Sequence, residues 1–226
     1  MAAPAYAAPG MGAEVYGAHV DKGELEFEAI YSELDGGDED GENVLKLEAA
    51  YGVTDKLRLS VIGEFEEEVG GSRKAEEIGI EAIYELGNLG PIDFAIYGEY
   101  GIGLNGHSDK IETKLIMQHE AGPLDLRFNL IAEKELESGE KVELEYAASA
   151  DVETFGEIRL GVQAYGQLGT FDDFLPRAEH FIGPVAKFEI EGLGPELEIE
   201  AGYLFALGEA KDETDGQFRI VLELEF

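Results

Sequence analysis

The sequence contains no cysteine and no tryptophan, and it has only 16 lysine and arginine residues against 50 aspartate and glutamate residues. Without cysteine, the chain can form neither a disulfide nor a thiolate metal site. The formal net charge of −34 argues against nucleic acid as a partner, because a polyanion is held by basic side chains that release its counterions. The chain also lacks an apolar run of the roughly 20 residues that a transmembrane helix needs.

Hydrophobic residues nevertheless make up 44% of the chain, which is too many for a disordered acidic polymer. The two properties are compatible if apolar and acidic side chains alternate along strands, because strand side chains point to opposite faces with period two. Residues 24–31 show this pattern, with Leu25 and Phe27 on one face and Glu26 and Glu28 on the other. It recurs about twelve times in segments of roughly 9–11 residues, the length that a tilted barrel strand needs to cross a bilayer.

The connections between these segments alternate in length. Tight turns are expected at residues 52–55, 87–90, 121–123, 153–156 and 192–195. Longer polar stretches lie between them, at residues 35–43, 67–76, 103–110, 134–141, 169–179 and 208–217. Short turns at one end of a barrel and long loops at the other are typical of outer-membrane barrels.

The last alternating segment runs from Phe218 to Phe226. Its apolar face consists of Phe218, Ile220, Leu222, Leu224 and Phe226. A final strand of this kind, ending on phenylalanine, resembles the closing strand of Gram-negative outer-membrane β-barrels. In that family the terminal aromatic residue is part of the signal that the barrel-insertion machinery reads. The resemblance therefore implies that Phe226 is a membrane-insertion signal and that this machinery is a partner.

These observations predict an all-β protein with a single antiparallel up-and-down transmembrane β-barrel of about 12 strands, formed by residues 13–226. The resemblance implies that the barrel lies in the bacterial outer membrane, with outer-membrane lipids as partners. Residues 1–12 are expected to be the remnant of an export signal or a flexible N-terminus. Within them, Ala5-Tyr6-Ala7 has the small-x-small form of a signal-peptidase site.

In this interpretation the polar face lines a lumen, because a charge on the lipid face would cost about 2–4 kcal/mol at the bilayer midplane. The residues expected to line the lumen are Lys46, Glu48, Arg58, Glu64, Glu81, Glu99, Glu112, Lys114, Arg127, Glu145, Arg159, Lys187, Glu198, Arg219 and Glu223. Acidic residues outnumber basic ones about three to one in the chain. The sequence thus predicts a porin-like channel for small solutes, with a lumen that favours cations.

Three alternatives remain open. The first is a closed structural or surface-presenting barrel without transport, and the second is a lipid-modifying outer-membrane enzyme. The third is a soluble β-barrel with its apolar face inside. His107, Ser108 and Asp109 are adjacent in a long loop, but the compact motifs of barrel lipid hydrolases are missing. No catalytic residue, cofactor or metal site is expected, since the acidic stretch 35–42 lacks the glycine and glutamate spacing of an EF-hand.

Overall fold

The computed structural model describes residues 8–190 and 194–226, which contain a closed antiparallel barrel of twelve strands. The strands are β1 (Leu25–Asp35), β2 (Asn43–Thr54), β3 (Leu57–Glu67), β4 (Lys74–Leu89), β5 (Ile92–Gly103), β6 (Lys110–Ala121), β7 (Leu124–Glu135), β8 (Glu143–Phe155), β9 (Ile158–Thr170), β10 (Glu179–Ile190), β11 (Glu196–Gly208) and β12 (Gly216–Glu225). A short 3-10 turn, Ala210–Asp212, precedes β12. The prediction of an all-β up-and-down barrel of about 12 strands is confirmed.

The barrel closes where the first strand meets the last. β1 pairs with β12 in an antiparallel register that runs from Glu26 opposite Glu225 to Asp35 opposite Gly216. At the end of this seam, the backbone N–H of Phe226 donates to the carbonyl of Leu25 at 2.9 Å. Because each of the twelve described strands has two hydrogen-bonded neighbours, the sheet that they form presents no open edge to a second molecule.

The loop lengths alternate as the sequence indicates. Four of the short connections contain two residues each, at 55–56, 90–91, 122–123 and 156–157. Gly90, Gly122 and Gly156 have φ values of 64°, 63° and 56°, a left-handed region that glycine adopts without steric cost. The longer connections are 36–42, 68–73, 104–109, 136–142, 171–178 and 209–215. The tight turn expected at 192–195 lies partly outside the described residues.

The outer face of the barrel is apolar. Val61 and Ile80, near the middle of their strands, have exposed fractions of 56% and 62%. Exposed aromatic side chains lie near both ends of the strands, namely Tyr51, Tyr84, Phe188 and Phe226 toward the short connections and Tyr100, Phe205 and Phe218 toward the long loops. Aromatic belts that flank an aliphatic band suit a surface that contacts lipid headgroups at both rims and acyl chains between them. No helix in the described part of the chain is long and apolar enough to cross a bilayer.

The other face points into the barrel and carries most of the strand charges. Along β1 and β2, Glu28, Lys46 and Glu48 are buried, whereas their neighbours Phe27 and Leu47 are exposed. Burial of charged residues on this face, and exposure of apolar ones on the other, is the reverse of a soluble barrel. The apolar face therefore lies outside.

Candidate functional site in the barrel lumen

The lumen is occupied by the chain that precedes β1. Residues 8–20, here called the lumen segment, are mostly buried and run from the long-loop end of the barrel to the short-turn end. At the long-loop end, Ala8 and Met11 belong to an apolar cluster with Leu34 and Val44 of the wall. At the short-turn end, Val20 belongs to a second cluster that includes Ile83 and Ala95.

Residues 8–12, which the sequence assigns to an export remnant or a flexible N-terminus, thus lie inside the barrel. The small-x-small site at Ala5-Tyr6-Ala7 falls outside the described residues, and its processing stays a prediction.

An asparagine holds the middle of the lumen segment. The backbone N–H of Tyr16 donates to Asn129 Oδ1 at 2.8 Å, and Asn129 Nδ2 donates back to the Tyr16 carbonyl at 3.0 Å. Two residues further on, the N–H of Ala18 donates to Gln118 Oε1 at 2.8 Å. A peptide group buried without partners would destabilise this arrangement, so these amide side chains replace the ladder bonds that the segment does not form.

Arg219 of β12 holds the part of the lumen segment that lies toward the long-loop end. Its guanidinium is 1% exposed and donates to the carbonyl of Gly10 at 2.8 Å and to the carbonyl of Ala13. The neighbouring Gln217 donates from Nε2 to the carbonyl of Pro9 at 2.8 Å. Hydrogen bonds from a charged donor are stronger than neutral ones, so Arg219 acts here as an anchor for the segment.

The ring of Tyr16 is buried inside the barrel among side chains of β2, β4, β5 and β6. It lies 5.1 Å from the ring of Tyr97, centroid to centroid, and Lys114 Nζ lies 4.6 Å and 4.4 Å from the two ring centres. The Tyr16 hydroxyl accepts a hydrogen bond from Lys46 Nζ at 3.2 Å and donates to Glu81 Oε2 at 3.3 Å. An ammonium group over an aromatic face is attractive, and more so away from water, so this cluster holds Tyr16 inside the barrel.

The lumen segment leaves a cavity on either side. A cavity of about 320 Å³ lies toward the short-turn end and is lined by Glu26, Arg58 and Glu223, among others. A cavity of about 170 Å³ lies toward the long-loop end, where Glu64 and Glu145 contribute to its lining. The barrel therefore contains two cavities lined by charged side chains, one toward each end.

Most of the residues expected to line the lumen are paired inside it. Lys46 Nζ lies 2.9 Å from Glu81 and 3.8 Å from Glu48, and Arg58 Nη2 lies 2.9 Å from Glu48 and also contacts Glu26. Further pairs join Glu99 to Lys110, Lys114 to Glu112, Arg127 to Asp125, Arg159 to Asp151, Lys187 to Glu198 and Arg219 to Glu200. Their role as an electrostatic filter stays a prediction.

Three of the residues expected to line the lumen are carboxylates without an ion-pair partner in the described part of the chain. Among the described residues, Glu64, Glu145 and Glu223 have no basic side chain within ion-pair distance, and all three line a cavity. Sequence reasoning missed Tyr16 and Asn129. Asn129 stands alone as an amide between Phe128 and Leu130, a weak signal of a special inward position.

The long-loop rim is acidic. In the β1–β2 loop, the N–H of Asp38 donates to the carbonyl of Glu213 at 2.9 Å, which joins this loop to the β11–β12 loop. Burial, together with the carboxylates of Glu39 and Glu66, raises the pKa of the Glu42 carboxyl to about 7. Burial and the nearby Glu213 also raise the pKa of Glu39. Near neutral pH this rim therefore carries less negative charge than the number of its carboxyl groups indicates.

The loop with a serine and a histidine has other partners. Ser108 Oγ donates to Glu137 at 3.3 Å, and His107 Nε2 contacts Glu76. The side chain of Asp109 instead accepts the hydroxyl of Tyr100 at 2.6 Å. These bonds tie each of the three residues to a different neighbour and do not form a nucleophile–base pair.

Replacing Asn129 with alanine is expected to loosen the lumen segment. The substitution leaves the N–H and carbonyl of Tyr16 without their partners, at a cost of about 1–3 kcal/mol. Hydrogen exchange at the Tyr16 amide should then become about 5- to 150-fold faster, as this cost implies. Mass-spectrometric exchange on the folded barrel measures it. Asn88→Ala, at the exposed end of β4, is the control, and equal exchange in both variants would contradict a holding role for Asn129.

No family model matches this sequence, and no curated protein matches it at a significant level. Solved structures do resemble it. A NanC porin is 9% identical with a TM-score of 0.58, covering 89% of this chain and 98% of its own. A KdgM porin in complex with disordered oligogalacturonate is 9% identical with a TM-score of 0.59, covering 90% and 98%. An outer-membrane channel from Pseudomonas putida F1 is 11% identical with a TM-score of 0.57, covering 92% and 97%. At these identities the likeness shows the fold, which is that of bacterial outer-membrane β-barrels.

Proposed function

We propose that this protein is a porin-like channel of the bacterial outer membrane, that it favours small cations, and that the lumen segment keeps it closed. The observation that carries the proposal is the pair of charged cavities, about 320 Å³ and 170 Å³, on either side of a segment that is not part of the wall. Among the described residues, the segment is continuous with the wall at its short-turn end alone, where it leads into β1 at Leu25. It can leave the lumen without breaking any bond between strands.

The expected preference for cations follows from the excess of acidic over basic side chains that line the two cavities. Glu64 and Glu145 line the cavity toward the long-loop end, and Glu223 lines the cavity toward the short-turn end. Fixed charges in a narrow passage raise the concentration of the opposite ion and repel ions of the same sign. The paired residues, such as Lys46 and Glu81, contribute less to this field because their charges largely cancel.

The proposal includes the surroundings of the barrel. Its partners are outer-membrane lipids on the apolar face, the barrel-insertion machinery that reads Phe226, and the small solutes or cations that pass. We propose no catalytic role. Ser108 and His107 are tied to separate glutamates, so neither is prepared to act on a lipid.

The second candidate is a closed structural barrel without transport. It is favoured by the number of contacts that hold the lumen segment, above all those from Arg219 and Asn129. The two candidates differ in whether the segment ever moves.

A reversible disulfide between the lumen segment and the wall tests the proposal. A Cβ at Gly12 would lie 3.1 Å from Val44 Cγ1, within reach of the Cβ–Cβ spacing of about 3.5–4.5 Å in disulfides. The sequence has no cysteine, so Gly12→Cys with Val44→Cys would form a single bridge. The positive φ of 70° at Gly12 makes cysteine there cost about 1–3 kcal/mol, which the barrel is expected to tolerate.

In planar bilayers, the reduced double variant is expected to show voltage-induced current steps and the oxidised form to suppress them. The reversal potential of the reduced form across a salt gradient should have the sign of cation preference. The Val44→Cys single variant cannot form the bridge, so the oxidant should not change its current. Absence of current in both redox states would instead support the closed barrel, and a reversal potential of anion sign would refute the cation preference.

A further inference from the structure

Three carboxylates from three parts of the chain meet inside the barrel. Glu14 belongs to the lumen segment, Glu28 to β1 and Glu48 to β2. One carboxylate oxygen from each lies within 4.8 Å of the other two. Glu28 and Glu48 are only 5% and 4% exposed, and they lie directly opposite each other on neighbouring strands. Like charges at facing positions repel, so this arrangement is unfavourable by itself.

Each of these carboxylates also has an oxygen that nothing satisfies. Glu14 Oε2, Glu28 Oε1 and Glu48 Oε2 are buried and have no hydrogen-bond partner. Glu48 is partly compensated by Arg58 at 2.9 Å and by Lys46 at 3.8 Å. Among the described residues, neither Glu14 nor Glu28 has a basic side chain within ion-pair distance. Buried carboxylate oxygens without partners are costly, and the two basic side chains beside Glu48 do not neutralise all three carboxylates.

The donor set fits a hard cation. The cluster offers carboxylate oxygens and neither imidazole nor thiolate, which favours Ca²⁺ or Mg²⁺ over zinc. Ca²⁺ binds oxygens at about 2.3–2.6 Å, so ligands within 4.8 Å of one another fit around it without moving apart. Mg²⁺ demands a tighter octahedron of about 2.0–2.1 Å. Glu14 and Glu28 also line the cavity of about 320 Å³, which has room for the water ligands that complete the shell.

We propose that Glu14, Glu28 and Glu48 form a Ca²⁺ site that joins the lumen segment to the barrel wall. The ion neutralises the facing pair of Glu28 and Glu48 and binds Glu14 at the same time. Its release is then required before the segment can leave the lumen. The consequence for opening of the channel rests on the proposed function. The Ca²⁺ site, and its connection of the lumen segment to the wall, do not.

Calorimetric titration of Ca²⁺ into the chelator-stripped, detergent-folded protein tests the site. The parent is expected to bind one ion with higher affinity than the background of its acidic loops. Glu14→Gln, Glu28→Gln and Glu48→Gln should each weaken this binding by at least about tenfold, since even outer residues of metal sites contribute 10- to 100-fold. Glu143→Gln, a carboxylate that lines the other cavity, is the control and should retain the parent affinity. Migration of the unboiled protein on SDS gels verifies that each variant is folded.

Hydrogen exchange tests the connection to the lumen segment without any measurement of current. At a Ca²⁺ concentration about 100 times the dissociation constant, exchange at residues 8–20 should slow about 100-fold in the parent, because opening requires ion release. Glu14→Gln should abolish the effect, and since Glu14 is outside the wall, its removal leaves the strands intact. Equal Ca²⁺ affinity in the parent and all three variants, or unchanged exchange in the parent, would overturn the proposal. A barrel that binds Ca²⁺ as expected but never conducts would refute only the channel function.

Discussion

Deletion of residues 2–20 is expected to turn the barrel into a steadily conducting pore. The deletion removes the ring of Tyr16 from the inside of the barrel and merges the two cavities into one passage. The wall remains complete, because β1 begins at Leu25 and every ladder bond lies between strands. We expect the mean conductance to rise at least about tenfold, which corresponds to about 1.4 kcal/mol less barrier for a passing ion. Planar-bilayer recordings at constant voltage measure it.

A shorter deletion gives the control for this experiment. Removal of residues 2–7 leaves the lumen segment in the chain and should leave the conductance at the parent level. In the open variant, replacing Glu64, Glu145 and Glu223 together with glutamine should reduce the cation preference, most clearly at low salt, where screening is weak. If the long deletion conducts no better than the parent, then side chains of the wall close the lumen by themselves.

Arginine in place of Leu130 is expected to destabilise the barrel strongly in lipid. Leu130 lies in the middle of β7, is 39% exposed and faces outward. A charge on the lipid face costs about 2–4 kcal/mol at the bilayer midplane. The free energy of unfolding from vesicles, measured in a urea titration, should fall by about this amount.

Leu126 is the matched control for depth. It is 36% exposed on the same face of the same strand, but it lies close to the short-turn end. Arginine there should cost only about 0–1 kcal/mol, since the penalty falls toward the interface. A barrel whose apolar outer face contacts water in place of lipid leads to a different prediction. With water around both positions, the two variants would be equally stable, and this result would reject the membrane interpretation.

The sequence by itself determined the wall of the barrel. Alternation such as that of Leu25 and Phe27 against Glu26 and Glu28 assigns each strand two distinct faces, and this information is local. Loop lengths and turn glycines, such as Gly122, set the order of short and long connections in the same way. In an up-and-down barrel each strand pairs with its sequence neighbours, so local information also predicts the topology. Only the exact register and the closure of β1 on β12 required the structure.

Only the tertiary structure decided what fills the lumen. Residues 8–20 have no strand or helix period, and their partners are distant in sequence, as Tyr16 and Asn129 are separated by 113 positions. Closure of the barrel brings these groups together, and a pattern of alternation contains no information about such a contact. The same reason applies to the charges. Alternation predicts that Glu28, Glu48 and Arg58 point inward, but it cannot show which carboxylates find a cation within the barrel and which, like Glu28, face only other carboxylates.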